Sequence, residues 1–344
     1  LGATRAAHAA YYAGLAEQAR LPLLHGEQAG WLTRLAREHD NLRAALGWFI
    51  ECGDAEAAIA IGWDVAHFWV ARGHLREGQR WMERALARGV VLGARARGRA
   101  SYVLAHIAHG LGRVDDAAAR YVEAIALARV VDDRELLAFA LSAYGFTAAV
   151  RRDFEPAEAA LVESEVAFAA LGYDWALGGV WQGLALIALG RGEIDRALAL
   201  LDAGATRLRE AGAWWHLIVS LNIQIQLALT RADHVRAAAL CREGVAAAGR
   251  IGDTTAIIYC LVGLAGAFAL AGQPERAARF FGVAEALRER TGIAIEVPER
   301  RAMYDEHLAL ARSALGAAAF DAAWAAGRAL APSEAMAEAL GGAP

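Results

Sequence analysis

His106 and His109 lie three residues apart, so both imidazoles would share one face of a helix. Such a pair can ligate a divalent cation when a carboxylate or thiolate completes the set. No such residue joins them at metal-site spacing, and no HExxH motif is present. The expected role is therefore stacking or lining a groove, and no metal is assigned. With an ordinary pKa near 6.5, these rings would also make any binding sensitive to pH. Around them the sequence offers Trp63, His67, Arg99 and Tyr102, then Phe139, Ser142 and Phe146. Farther along come the amides Gln182, Asn222 and Gln226, with Tyr259. Rings and amides in these positions suit stacking and hydrogen bonding to a peptide backbone or a polar effector. The same amides could instead bond to neighbouring helices or face solvent, since a buried amide without a partner costs about 1–3 kcal/mol. No nucleophile, acid–base pair or metal set is demanded by any motif. The expectation is a non-enzyme with no catalytic residue and no cofactor.

The elements that must position these residues announce themselves through glycine. Gly53, Gly93, Gly172, Gly212, Gly252 and Gly292 recur near every fortieth residue, with Asp132 in the one gap. A second series, Gly73, Gly112, Gly192 and Gly272, runs half a repeat behind, completed by Arg152 and Ala232. A fixed period of this size marks a stacked repeat array. A left-handed residue past the last helical turn satisfies orphan carbonyls, and glycine adopts that conformation most freely. Two stops per period predict two helices per repeat.

The second helix of each predicted repeat carries a small, large, small triplet at spacings of four and three. It reads Gly78-Met82-Ala85, Ala117-Tyr121-Ala124, Ala157-Leu161-Ser164, Ala197-Leu201-Gly204, Ala237-Cys241-Gly244 and Ala277-Phe281-Ala284. First helices carry stripes such as Ser101-Leu104-Ala105-Ala108 and Leu261-Leu264-Ala265-Phe268, one buried face each. The predicted fold is all-α: a right-handed α-solenoid of six 40-residue helix pairs over 54–293, with helical caps at 1–53 and 294–344. In such a stack the first helices line the concave surface. That geometry exposes three columns that contain the ring and amide residues named above, together with Ala60, Gly179, Leu186, Val219, Val262 and Gly266.

Composition narrows the function classes. The 344 residues include no lysine, which carries no mechanistic weight, and their formal net charge of −4 argues against direct nucleic-acid binding. Cys52, Cys241 and Cys260 are odd in number and lack CxxC spacing, so the chain reads as cytoplasmic rather than disulfide-framed. No signal peptide opens it and the first methionine is Met82, which suggests a segment of a longer protein. The uncharged run 254–274 has the length of a membrane span, but it coincides with a first helix and ends at Gly272-Gln273-Pro274. A helix packed between neighbours is apolar nearly all round, so no membrane is expected. Arg76, Arg80, Arg84 and Arg88 recur every four residues as one ridge. It reads as a solvated outer face, with docking of an acidic partner as the alternative.

The repeat spacing resembles the tetratricopeptide repeat, whose usual period of 34 residues is about six shorter. Three flanking segments are more specific: EHDNLRAALGW at 38–48, ARGHLREGQRWMERAL at 71–86, and LGAAAFDAAWAAGRALAPSEAMAEAL at 315–340. Together they resemble the C-terminal repeat region of bacterial LuxR-family or AfsR-like STAND ATPase transcriptional regulators. The resemblance implies a sensor arm that receives a protein, peptide or small effector and controls an ATPase and self-association. An alternative within it is a small-molecule sensor with an enclosed pocket. ATPase and DNA-binding modules are expected outside this segment, since GxxxxGK[ST] and its lysine are absent here.

Overall fold

The computed structural model describes residues 2–87, 91–291 and 298–341, the side chains of 298–300 aside. Among these residues the chain is all-helical, and it divides into two compact units, Leu1–Ala213 and Trp214–Pro344. The first unit opens with α1 (Gly2–Ala19), α2 (Gln28–Arg37) and α3 (His39–Glu51). Four helix pairs follow. They are α4 (Ala55–Ala71) with α5 (Leu75–Leu86), α6 (Ala94–Gly110) with α7 (Val114–Val130), α8 (Arg134–Val150) with α9 (Phe154–Leu171), and α10 (Leu177–Gly190) with α11 (Ile194–Glu210). A single 3-10 turn, Asp174–Ala176, leads into α10.

The second unit holds two pairs, α12 (Trp214–Thr230) with α13 (His234–Ile251) and α14 (Thr254–Leu270) with α15 (Pro274–Thr291). It ends in α16 (Pro298–Leu315), α17 (Ala317–Arg328) and α18 (Pro332–Ala339). The boundary at 213/214 thus falls within the 54–293 stretch read as one array. The apolar run near 254–270 is α14, which packs on α12, α13, α15 and α16. Among the described residues no helix is long and apolar enough to cross a membrane.

The turns follow one rule. Gly53, Gly73, Gly112, Gly172, Gly192, Gly212, Gly252 and Gly272 all have positive φ, and so do the three substitutes Asp132, Arg152 and Ala232. At each, the next residue donates its N–H to the carbonyl five residues back, as Asp54 to Phe49 (2.8 Å), Asp133 to Ala128 (3.0 Å) and Asp233 to Ala228 (2.8 Å). Four of those following residues, Asp54, Asp133, Asp233 and Asp253, also cap the new helix by accepting from the backbone three residues on. One short turn therefore ends one helix and begins the next.

Gly93 departs from this rule. Its φ is −61°, and it is the N-cap of α6, its N–H donating to Glu56 Oε1 at 2.8 Å. The α5–α6 connection is longer than the turns that follow this rule, so the glycine stands at a start instead of a stop. Gly292 lies outside the described residues.

Ala232 holds a left-handed φ of 55° with a Cβ that this conformation penalises. Ala232→Gly is expected to raise stability by about 0.5–1 kcal/mol, the relief outweighing the added freedom of the unfolded chain. Urea unfolding of the two proteins reads this directly, and a destabilised variant would contradict the turn geometry.

All eighteen triplet positions are buried, with Met82, Leu161, Leu201, Cys241 and Phe281 at 0% exposure. The small residues are small for a reason visible at Leu161. A Cβ on Gly145 of α8 would meet Leu161 Cγ at 2.5 Å, and one on Gly183 of α10 would meet its Cδ1 at 2.8 Å. One α9 side chain thus fills the seam left by two glycines on flanking first helices.

Candidate functional site

The first helices of the first unit, α4, α6, α8 and α10, carry the ring-rich face. Trp63 lies edge-on to Tyr102 (4.9 Å between centroids), and Phe139 stands 6.3 Å from Trp63. The Arg99 guanidinium covers the Trp63 ring at 5.4 Å and bonds Asp133 at 3.4 Å. Tyr102 stacks on His106, whose Nδ1 meets Tyr121 Oη at 3.3 Å. His109 pairs with Thr147 Oγ1 at 3.1 Å and lies against Phe146. His106 and His109 are thus each engaged with a different neighbour. Burial pushes the His109 pKa down and the Tyr102 pKa up. Phe139, Ser142 and Phe146 are half-buried on α8.

This face is not open. The segment 20–27, between α1 and α2, lies across it. The Arg20 guanidinium bonds Glu135 and sits 3.4 Å from Asp64, while Tyr173 donates to the same Glu135 at 3.1 Å. His25 lies against Trp175 at 4.5 Å, and Trp175 in turn neighbours Phe139. The Gly26 N–H donates to the Ala211 carbonyl at 2.8 Å. Gln28 is fully buried, donating to Leu23 O at 2.6 Å and meeting His67 Nε2 at 3.2 Å.

The expected exposure of this face is corrected accordingly: Trp63 and His67 are each only 6% exposed, where the sequence reading set them on a free surface. Gln182 is buried as well, within α10. Two donors on the floor, Trp63 Nε1 and Arg99 Nε, are buried without a hydrogen-bond acceptor among the described residues.

Sequence reasoning named the floor and missed what lies on it. Arg20, His25 and Gln28 sit in the region read as a cap, where no repeat register extends. Asp64 and Glu135 look like ordinary helix-surface acids. Burial raises Asp64 to about 7, although Arg20 and Arg99 draw it down. A carboxyl raised in this way holds a proton in the folded state that the unfolded chain has released above its ordinary value of 3.8. Its contribution is fully present below that value and is lost as pH rises through about 7. Asp64→Asn is therefore expected to gain on the parent protein from pH 5 to about pH 7 and to level off above it, as read by urea midpoints. A pH-independent difference would contradict the assignment.

In the second unit, Asn222 and Gln226 of α12, Tyr259 and Val262 of α14, and Tyr304 and His307 of α16 line a recess of about 50 Å³. That space holds a few waters or one small polar group, far below a drug-sized pocket. Asn222, Gln226 and Tyr259 are half-buried at its wall. The sequence did not suggest that α16 closes one side with Tyr304 and His307, because this helix lies beyond the repeat pattern. His307 fits only because Gly266 has no side chain: a Cβ there would come 2.8 Å from its Nδ1.

On the outer side, Arg76, Arg80 and Arg84 of α5 are exposed, Arg84 lying over the Trp81 ring at 4.6 Å; Arg88 lies outside the described residues. Among the described residues one group of His and carboxylate atoms is close enough to share a cation. It comprises His39, His74 and Glu77, whose ligand atoms lie within 4.8 Å of one another.

Fold and site together define an all-helical protein of repeated helix pairs, with ring-lined and amide-lined first-helix faces. No family model matches the chain. Over 148 residues, 41% of its length, it is 32% identical to a Mycobacterium bovis protein named as an HTH-type transcriptional regulator, and equally to its Mycobacterium tuberculosis counterparts. The chain spans about 17% of the length of those relatives. It is thus similar in part to proteins named as transcriptional regulators.

Proposed function

We propose that this chain is the non-catalytic sensor arm of a bacterial transcriptional regulator of the LuxR-family STAND ATPase type. In this reading it is a right-handed stack of tetratricopeptide-like helix pairs that takes a protein or peptide partner on its first-helix faces. ATP hydrolysis and DNA contact belong to other parts of a longer cytoplasmic protein, which self-associates when the arm is engaged. One observation carries the reading: a peptide already lies on such a face. Segment 20–27 is held there by a backbone hydrogen bond to Ala211, by acids on its arginine and by a tryptophan on its histidine. A face that grips its own chain this way has the chemistry to grip another.

The recess near Gln226 supports a second reading, in which one small polar effector or a single partner side chain seats against Asn222, Gln226 and Tyr259. The test is reporter transcription driven by a longer protein containing this segment. Gln226→Ala, Tyr259→Ala and Arg99→Ala, each checked for unchanged melting, are expected to abolish the induced response and leave basal transcription intact. Full induction in all three variants would overturn the proposal. So would turnover of any substrate by the chain that one of these changes removes.

A further inference from the structure

We propose that His39, His74 and Glu77 form a binding site for a divalent transition-metal ion of the zinc class. The three residues come from two segments far apart in sequence. His39 opens α3, His74 is the N-cap residue of α5, and Glu77 stands in the first turn of α5. These are the same two segments, 38–48 and 71–86, that stand out in the sequence flanks. The structure joins them. Arg43 of α3 holds Glu77 through two hydrogen bonds of 2.7 and 2.6 Å, and Trp81 donates to Glu77 at 3.3 Å.

Geometry and chemistry both suit such an ion. His39 Nε2 lies 3.3 Å from Glu77 Oε1, about the ligand–ligand edge of a tetrahedron with bonds of roughly 2.0–2.1 Å. The His39 and His74 rings are 4.2 Å apart, and all three ligand atoms fall within 4.8 Å, so a small ring rotation brings the set together. His39 is only 8% exposed, and its Nε2, although 3.3 Å from Glu77 Oε1, makes no well-aligned hydrogen bond among the described residues. A buried nitrogen so poorly satisfied is costly, and a metal bond is one way to satisfy it.

A carboxylate offers about four lone-pair sites. Arg43 and Trp81 use three, and on Oε1, the oxygen that faces His39, the ion would take the place of the long 3.3 Å Trp81 contact. Asp40 bonds Arg43 at 2.7 Å, and with Arg72 also acting on His74 the charges around the site balance before the ion arrives. Burial lowers the pKa of both histidines, which favours the neutral rings a metal requires. The Arg43 hydrogen bonds hold Glu77 down at about 2, leaving it ionised. A His₂Glu set with a fourth position for water is a zinc-type donor set, whereas calcium and magnesium prefer all-oxygen sites.

Cobalt(II) titrated into the metal-free chain provides the probe, with visible absorption reporting four-coordinate binding and zinc displacement reporting affinity. One equivalent is expected to bind, with zinc raising the melting temperature and a chelator reversing the rise. His74→Ala and Glu77→Gln are each expected to weaken binding about tenfold or more, while circular dichroism shows the helices intact. If His74→Ala fails to fold, His74→Asn takes its place. Absence of a cobalt band in the parent protein, or the same affinity in a folded His74 variant, would overturn the site.

Discussion

Gly327→Ala is expected to unfold or severely loosen the C-terminal part of the second unit. At this position α17 crosses α15 with backbone against backbone. A Cβ at Gly327 would lie 1.9 Å from the Arg279 carbonyl oxygen, and one at Gly282 would lie 2.2 Å from the Trp324 carbonyl oxygen. These contacts differ from those at Leu161 or Met82, where the obstacle is a side chain that can rotate. Here the obstacle is a helical carbonyl, which moves only if the whole helix moves. Separating the helices also strands Phe320 and Ala323, both buried on α17, and the Arg328–Glu289 pair at 2.7 Å. Overpacking commonly costs about 1–3 kcal/mol, and a backbone collision belongs at or above the upper end. Gly282→Ala should behave the same way. Chemical unfolding monitored by circular dichroism would show an early transition in both variants, and parental stability in either would refute this crossing.

Arg20→Ala is expected to cost about 2–3 kcal/mol at pH 8, and much less at pH 5.5. Removing one partner from a buried ion pair costs about 3–5 kcal/mol because it leaves uncompensated charge. Arg20 keeps 23% of its side chain exposed, and two acids depend on it, Asp64 at 11% and Glu135 at 17%. The lower figure reflects the partial exposure of Arg20, which lets water screen the charges left behind. Burial holds the Asp64 pKa at about 7, and losing Arg20 can only raise it further. Below that value the acid takes up a proton and the penalty fades. At pH 8 the proton is scarce and the penalty remains. Melting curves at the two pH values check this, and an equal loss at both would show that protonation of Asp64 does not relieve the loss of Arg20.

The scaffold was written in the sequence to an unusual degree because its turns repeat one stereochemical requirement. Among the described residues from α4 to α15, the glycine beat named the left-handed turns, including Asp132, Arg152 and Ala232, whose side chains alone would not suggest positive φ. The triplets named eighteen buried positions for the same reason: a period fixes register, and register fixes burial. Gly93 escaped because glycine serves both helix starts and stops, and only the length of the α5–α6 connection tells them apart.

The candidate site was half legible. Ring and amide positions on the first helices follow from register, so the floor around Trp63 and Tyr102 and the wall of Asn222, Gln226 and Tyr259 could be named. What covers them could not. Segment 20–27 reaches Asp64, Glu135 and Ala211 by tertiary packing across up to 185 positions of sequence, and no local pattern encodes such a contact. The same holds for His39 meeting His74 and Glu77, brought together only by the way α3 packs against α5.

The central claim is that a first-helix face of this chain is a peptide-holding surface, occupied by its own residues 20–27. Hydrogen exchange read peptide by peptide tests it most directly. The Gly26 N–H, bonded to Ala211, and the buried Leu23 should exchange slowly in the parent protein although they lie between helices. In Arg20→Ala the same peptide should exchange far faster while α4 and α8 keep their protection. Exchange of 20–27 at the rate of a free loop in the parent protein would contradict the account.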